Sequence, residues 1–210
     1  MEIPEELPIY LVDKLEMRRL TSGTRRPIGV KTKIMIEPEN PNTMIYGLTM
    51  FGLEQEIMHV TNSSRRGNSI EVTKEVRRHG RDEITIAVLF GLPRIVFREI
   101  VAHEMMHAWL RFQGNFLSVS GLELKVEEGI CQVMAYKWLE RYESKEISSS
   151  SKATKSGHFA RNLIQYVKNH IETIPSYVYR EGFREAQWAV TKHGLAKTID
   201  YIVQYRKLPQ

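Results

Sequence analysis

The chain is nearly without cysteine. Cys131 is the only one in 210 residues, so no intrachain disulfide can form and no site built from several thiolates is available. Long apolar runs are also missing. Nothing approaches the roughly eighteen consecutive apolar residues that a membrane helix needs. The first residues, Met1 to Glu6, are acidic and carry no signal-peptide core. These absences lead to the expectation of a protein of the cytoplasm, with the nucleus as a second compartment, and of no membrane contact. There is no internal repeat, and no helix-turn-helix, RNP or zinc-finger spacing.

Charge of one sign is only modestly in excess. The formal net charge is +5, and much of it sits in Arg18-Arg19, Arg25-Arg26, Arg65-Arg66 and Arg77-Arg78-His79. No aromatic residues interleave these clusters, so they read as solvated faces or as a surface for an acidic protein partner rather than a nucleic-acid site. With 42% hydrophobic and 26% charged residues, the chain can bury an ordinary globular core. The expectation is one domain over residues 1–210, with an N-terminal lobe over 1–114 and a helical C-terminal lobe over 115–210. A serine-rich loop over residues 143–157 is expected within the second.

What is present is a chemical pattern. Val101-Ala102-His103-Glu104-Met105-Met106-His107-Ala108-Trp109-Leu110 holds two histidines four apart. On a helix, such residues share a face. His103 and His107 can therefore offer both imidazoles to one metal ion. Glu104, about 100° round from His103, stands beside such an ion rather than on it. This is the H-E-x-x-H arrangement, with the glutamate as general base for a metal-bound water. Pro93 suits a helix start and Gly114 a helix end. Ile95, Val96, Ile100, Ala108 and Leu110 make the helix apolar on most sides, hence buried. Histidines and a glutamate there need a partner, because burial without one is costly.

A zinc site of this kind needs a third protein ligand. Val126-Glu127-Glu128-Gly129-Ile130-Cys131-Gln132-Val133 opens a second apolar helix that continues through Leu139. One of its paired glutamates can sit in the exposed first turn and the other can point inward. Glu128 is preferred as ligand, since Gly129 after it lets a backbone or a metal come close. Glu127 is the alternative. Cys131 reads as a small buried filler.

The remaining pattern gives the fold class. Residues 83–90 form the best strand, stopped by Gly91-Leu92-Pro93, and either pair as a sheet edge beside the metal or lie in the core. Strands are expected at 31–37 and 70–72, with short apolar segments at 44–50 and 57–60 between them and 73–82 basic and exposed. Residues 9–12 are a strand or the lead into a helix through Leu15 and Leu20. Helical spacing returns over 159–174, up to Gly194, and from Leu195 to Val203. The expected class is α+β: a small, mostly antiparallel sheet packed on the metal helix, with a helical C-terminal half.

The Glu128-Gly129 pair beyond the second histidine resembles the third-ligand segment of the gluzincin metallopeptidases. Phe90-Gly91-Leu92-Pro93-Arg94, residues 102–110 and residues 126–135 together resemble the C-terminal peptidase region of the plant DA-one family, ubiquitin-activated regulators of organ size. Tyr179, Gly182-Phe183-Arg184 and Gly194-Leu195 extend the likeness, which is strongest over residues 80–210. The resemblance implies a zincin-like fold with one zinc ion held by His103, His107 and Glu128, and a zinc endopeptidase that clips regulatory proteins. Ubiquitin ligases and a deubiquitinase are its implied substrates. One cysteine cannot build the LIM site of full-length members, so ubiquitin as activator would act through regions outside these residues. A second donor for the oxyanion is sought among Tyr136, Tyr177, Tyr179, His158, His170 and His193. The rival readings are a protein-binding module with a latent or structural zinc site, and a metal hydrolase of small amides.

Overall fold

A computed structural model describes residues 7–21, 45–51, 54–63, 69–78, 84–113, 122–147 and 155–210, with backbone alone for 51, 54–63, 69–78, 146, 147 and 155. The expected strand at 31–37, the breaks at 21–24 and 38–42, Gly114 and the serine run 148–151 fall wholly or largely outside these residues.

The central strand is the β-branched run of residues 84–89. Strand β1 (Ile9–Val12) pairs with it in parallel, Ile9 opposite Ile86. Strand β2 (Gly47–Phe51) pairs antiparallel on its other side, Thr49 opposite Ile86. A separate antiparallel hairpin is formed by β3 (Glu54–Ser63) and β4 (Ser69–Arg78). The run itself is β5 (Ile84–Leu89), and the sheet order is β1-β5-β2. The sheet is therefore mixed, not mostly antiparallel. The parallel pair arises because residues 9–12 form a strand and then run into helix α1 (Lys14–Thr21), so both readings of that segment hold in sequence. Residues 73–78, expected as an exposed basic stretch, continue β4.

Alternation along β2 explains the layering. Leu48 and Met50 point to one face and cluster with Met17 of α1, Ala87 and Leu89. Gly47 and Thr49 point to the other, onto helix α2 (Arg94–Phe112). Gly91, at φ 89°, turns the chain from β5 towards α2. Pro93 is the residue before the helix rather than its first. Helix α2 packs on the sheet and on α3 (Leu124–Tyr142), which extends as a π-helical turn over Glu143–Ile147. The first five residues of the expected serine-rich loop thus belong to that turn, and helix α4 (Lys155–Thr173) takes its last three.

Helices α5 (Tyr177–His193) and α6 (Leu195–Tyr205) complete six α-helices among the described residues, in an α+β arrangement. Pro175 and Ser176 separate α4 from α5, and Gly194, at φ 87°, separates α5 from α6. The helical core centres on Leu110, Ile130, Leu139, Ile164 and Ile202, each fully buried, worth about 1.5–3 kcal/mol apiece. Among the described residues no helix is long and apolar enough to cross a membrane.

Candidate metal centre

Helices α2 and α3 bring the predicted residues together. His103 and His107 follow one another by a turn, and their Nε2 atoms lie 3.1 Å apart. Oε2 of Glu128, from the first turns of α3, lies 3.3 Å from Nε2 of His103 and 3.4 Å from Nε2 of His107. Three donor atoms thus form a nearly equilateral triangle. A zinc ion with ligands at about 2.0–2.2 Å needs tetrahedral edges of roughly 3.3–3.5 Å, close to the size of this triangle. Glu128 is buried, and its Oε2 has no hydrogen-bond partner. An orphaned carboxylate oxygen beside two imidazole nitrogens is costly unless a cation joins them. The residues therefore fit a zinc ion. His103, His107 and Cys131 also offer donors within 4.8 Å of one another. Burial pushes the Cys131 thiol up to about 12, so it is a neutral thiol at pH 7, whereas the carboxylate of Glu128 is ionised.

The second glutamate has a separate place. Oε1 of Glu127 lies 3.0 Å from Nδ1 of His107 and accepts from Nη2 of Arg111 at 3.3 Å. That contact makes Nδ1 of His107 the donor to Glu127 and leaves Nε2 as the nitrogen that faces Glu128. Burial alone would favour protonated, neutral Glu127, but His107 and Arg111 outweigh it and lower its pKa. Burial likewise opposes charge on Glu128, yet His107 and His103 hold its carboxyl far below the usual range. For His107, burial disfavours the imidazolium, while Cys131, Glu128 and Glu127 raise its pKa well above the usual value. Since the thiol is neutral, the carboxylates carry that effect.

Glu104 is buried on the sheet side of α2. Its Oε2 accepts a hydrogen bond of 2.6 Å from Oγ1 of Thr49, which also lies 3.0 Å from the Glu104 carbonyl. A Cβ on Gly47 would stand 2.8 Å from Oε1 of Glu104 and would overlap Ile100. Strand β2 therefore presses directly on the catalytic candidate. Residues 84–89 occupy the sheet centre, so the core reading holds for β5, and the edge nearest Glu104 is β2. Neither Gly47 nor Thr49 stands out in the sequence, where the stretch reads only as a short apolar segment. A lone hydroxyl between Leu48 and Met50 is the one hint it offers.

The oxyanion candidates separate. Tyr136 donates to Glu172 at 2.8 Å. Tyr177, His158 and His170 are exposed, and the His193 ring meets Trp188 edge-on. Tyr179 of α5 is the tyrosine that shares the field of the site. Burial first, then Glu128 and Glu104, push its phenol well above the usual range, with His107 opposing, so its hydroxyl keeps its proton. Glu99, one turn before His103, was not singled out in the sequence. Burial raises its carboxyl to about 7, with His103 opposing and Glu104 adding to the rise.

The model of the DA1-like family, described as Protein DA1, matches residues 1–205. Protein DA1 of Arabidopsis thaliana is 34% identical across the whole chain, which spans 39% of that protein. Protein DA1-related 1 of the same plant is 34% identical over 96% of the chain and 37% of its own length. The LIM domain-containing protein HDR3 of Oryza sativa subsp. japonica is 30% identical over 96% of the chain and 42% of its own length. The chain thus spans about two fifths of the relatives it matches. No solved structure matches it.

Proposed function

The chain belongs to the DA1-like family, and from that membership and the geometry of the site we propose that it is a zinc-dependent endopeptidase of zincin-like fold. The observation that carries the proposal is the triangle of His103 Nε2, His107 Nε2 and Glu128 Oε2, with sides of 3.1–3.4 Å. His103, His107 and Glu128 would hold the ion. Bound there, zinc supplies a Lewis acid and a water acidic enough to lose its proton near pH 7.

The rest falls to the chain. Glu104 accepts the proton of the attacking water at a carboxylate oxygen and passes it to the leaving amine nitrogen. Thr49 fixes the carboxylate for that transfer. Tyr179, protonated and within the field of Glu128 and Glu104, donates to the oxyanion of the tetrahedral intermediate. Glu127 keeps the His107 ring in the orientation the site needs. Residues 1–210 act as one peptidase domain. Its substrates are regulatory proteins, with ubiquitin ligases and a deubiquitinase as the proposed targets, and ubiquitin as an activator through regions beyond this chain.

The test has two parts. Zinc content of the purified protein should be about one per chain and should be lost in Glu128→Ala but retained in Glu127→Ala. Cleavage of a protein substrate should be lost in Glu104→Gln while zinc is kept. Full cleavage by that variant would sink the role of Glu104. A chain that takes up no zinc on reconstitution would sink the proposal as a whole, and a zinc-loaded chain that cleaves no protein would favour a binding module.

A further inference from the structure

A concave feature lies on the side of α2 away from His103. It is a cleft of about 330 Å³ between α2, the end of α3 and the π-helical turn. Val101 and Met105 of its wall are about 160–200° round the helix from His103, so the cleft faces away from the metal centre. Its chemistry is one-sided. Arg98 stands on the α2 wall, and Arg141 and Lys145 stand on the α3 side. No aspartate or glutamate lines it. Among the described residues no carboxylate pairs with Arg98 or Arg141. The floor is apolar: Met105, together with Trp138 and Tyr142, whose rings stack at 5.1 Å.

We propose that this cleft binds an acidic segment of a partner protein, with an apolar side chain seated on Met105, Trp138 and Tyr142 between carboxylates that meet the cations of the two walls. Charge complementarity sets the sign of the ligand, since unpaired guanidiniums on facing walls favour carboxylates on either side of an extended chain. The aromatic floor decides between a peptide and a nucleic acid. Base stacking needs an open ring face. Trp138 and Tyr142 cover one another, and both are partly buried against the helical core. What they leave open suits an aliphatic side chain. This site stands whether or not the chain cleaves peptides, because none of its residues belongs to the metal centre.

The test is fluorescence anisotropy on the full chain with a short fluorescein-labelled peptide that alternates glutamate with leucine. Binding is expected to weaken by roughly tenfold or more in Arg98→Glu/Arg141→Glu, and to weaken with added salt. Arg18→Glu/Arg19→Glu, at exposed positions of α1, should bind as the parent does. Arg141→Glu alone, also at an exposed position, carries the test if the double variant is unstable, and should weaken binding severalfold. An unchanged Kd in these variants, or equal binding of the peptide with glutamine for glutamate, overturns the proposal. Tighter binding of an oligouridylate than of the acidic peptide overturns it in favour of nucleic acid.

Discussion

Oε1 of Glu127 lies 3.0 Å from Nδ1 of His107, on the side of the ring away from Glu128. One imidazole therefore meets two consecutive glutamates, each through a different nitrogen. The consequence is an asymmetry between two residues that are chemically alike. Removing Glu128 removes a donor of the triangle. Removing Glu127 frees the ring to turn and to change tautomer, which at other metal sites costs about 10–100-fold in metal affinity or activity. Glu127→Gln is expected to keep zinc at saturating metal but with a Kd raised by that factor, and Glu128→Gln to bind none measurably. Competition with a zinc-sensitive chelator reads both. Equal losses in the two variants would mean that the roles are not divided in this way.

Thr49 holds Glu104 across a gap of 55 positions in the chain, by a 2.6 Å hydrogen bond. In Thr49→Val the carboxylate keeps its shape-filling neighbour but loses its donor. Leaving a buried acceptor unpaired costs about 1–3 kcal/mol, and the free carboxylate samples orientations unsuited to proton transfer. The expected result is a kcat reduced by roughly tenfold to a hundredfold, with zinc content unchanged. Zinc analysis beside steady-state peptide cleavage separates this from loss of the metal.

How much of this was legible in the sequence depends on distance along the chain. His103, Glu104 and His107 are placed by helical periodicity alone, which needs only neighbours. Glu128 was legible because it opens an apolar helix beside a glycine, although the backbone that approaches Gly129 belongs to Gly182. The partner of Glu127 was not legible, since it depends on how α2 and α3 cross. Nor was the contribution of β2. The β-branched and aromatic run over residues 83–90 identifies a strand but does not say which strands flank it, and pairing with residues 9–12 and 47–51 makes it central. Thr49 and Gly47 reach Glu104 only through that pairing.

Gly129 and Gly182 hold α3 against α5 with no side chain between them. A Cβ at Gly129 would overlap the Gly182 carbonyl, and one at Gly182 would overlap the carbonyl of Lys125. Both obstacles are backbone, which cannot rotate away. Alanine at either position must therefore push the helices apart, with a cost of about 1–3 kcal/mol for an overpacked core. The push also displaces Glu128 from the histidines and Tyr179 from the site. Gly129→Ala and Gly182→Ala are each expected to lower the denaturation midpoint and to weaken zinc binding together. A variant with unchanged stability and unchanged zinc affinity would show that the contact has slack.

Glu99 supplies a pH dependence whose sign can be worked out. Burial raises its carboxyl from 4.5 to about 7 in the folded chain, with His103 opposing and Glu104 adding. The folded state therefore holds a proton that the unfolded state releases between these values. The Glu99 contribution to stability is undiminished below about pH 4.5, falls as pH rises through the window to 7, and then levels off. A shift of this size corresponds to about 3 kcal/mol. Glu99→Gln cannot ionise, so the Glu99 contribution drops out of its pH dependence, while that of His107 stays in both proteins. In chelator-treated protein, urea denaturation at pH 5 and pH 8 should show parent and variant alike at the lower pH. At the higher pH the variant should be the more stable by up to about 3 kcal/mol. Parallel pH dependence in the two proteins would place the titrating group elsewhere.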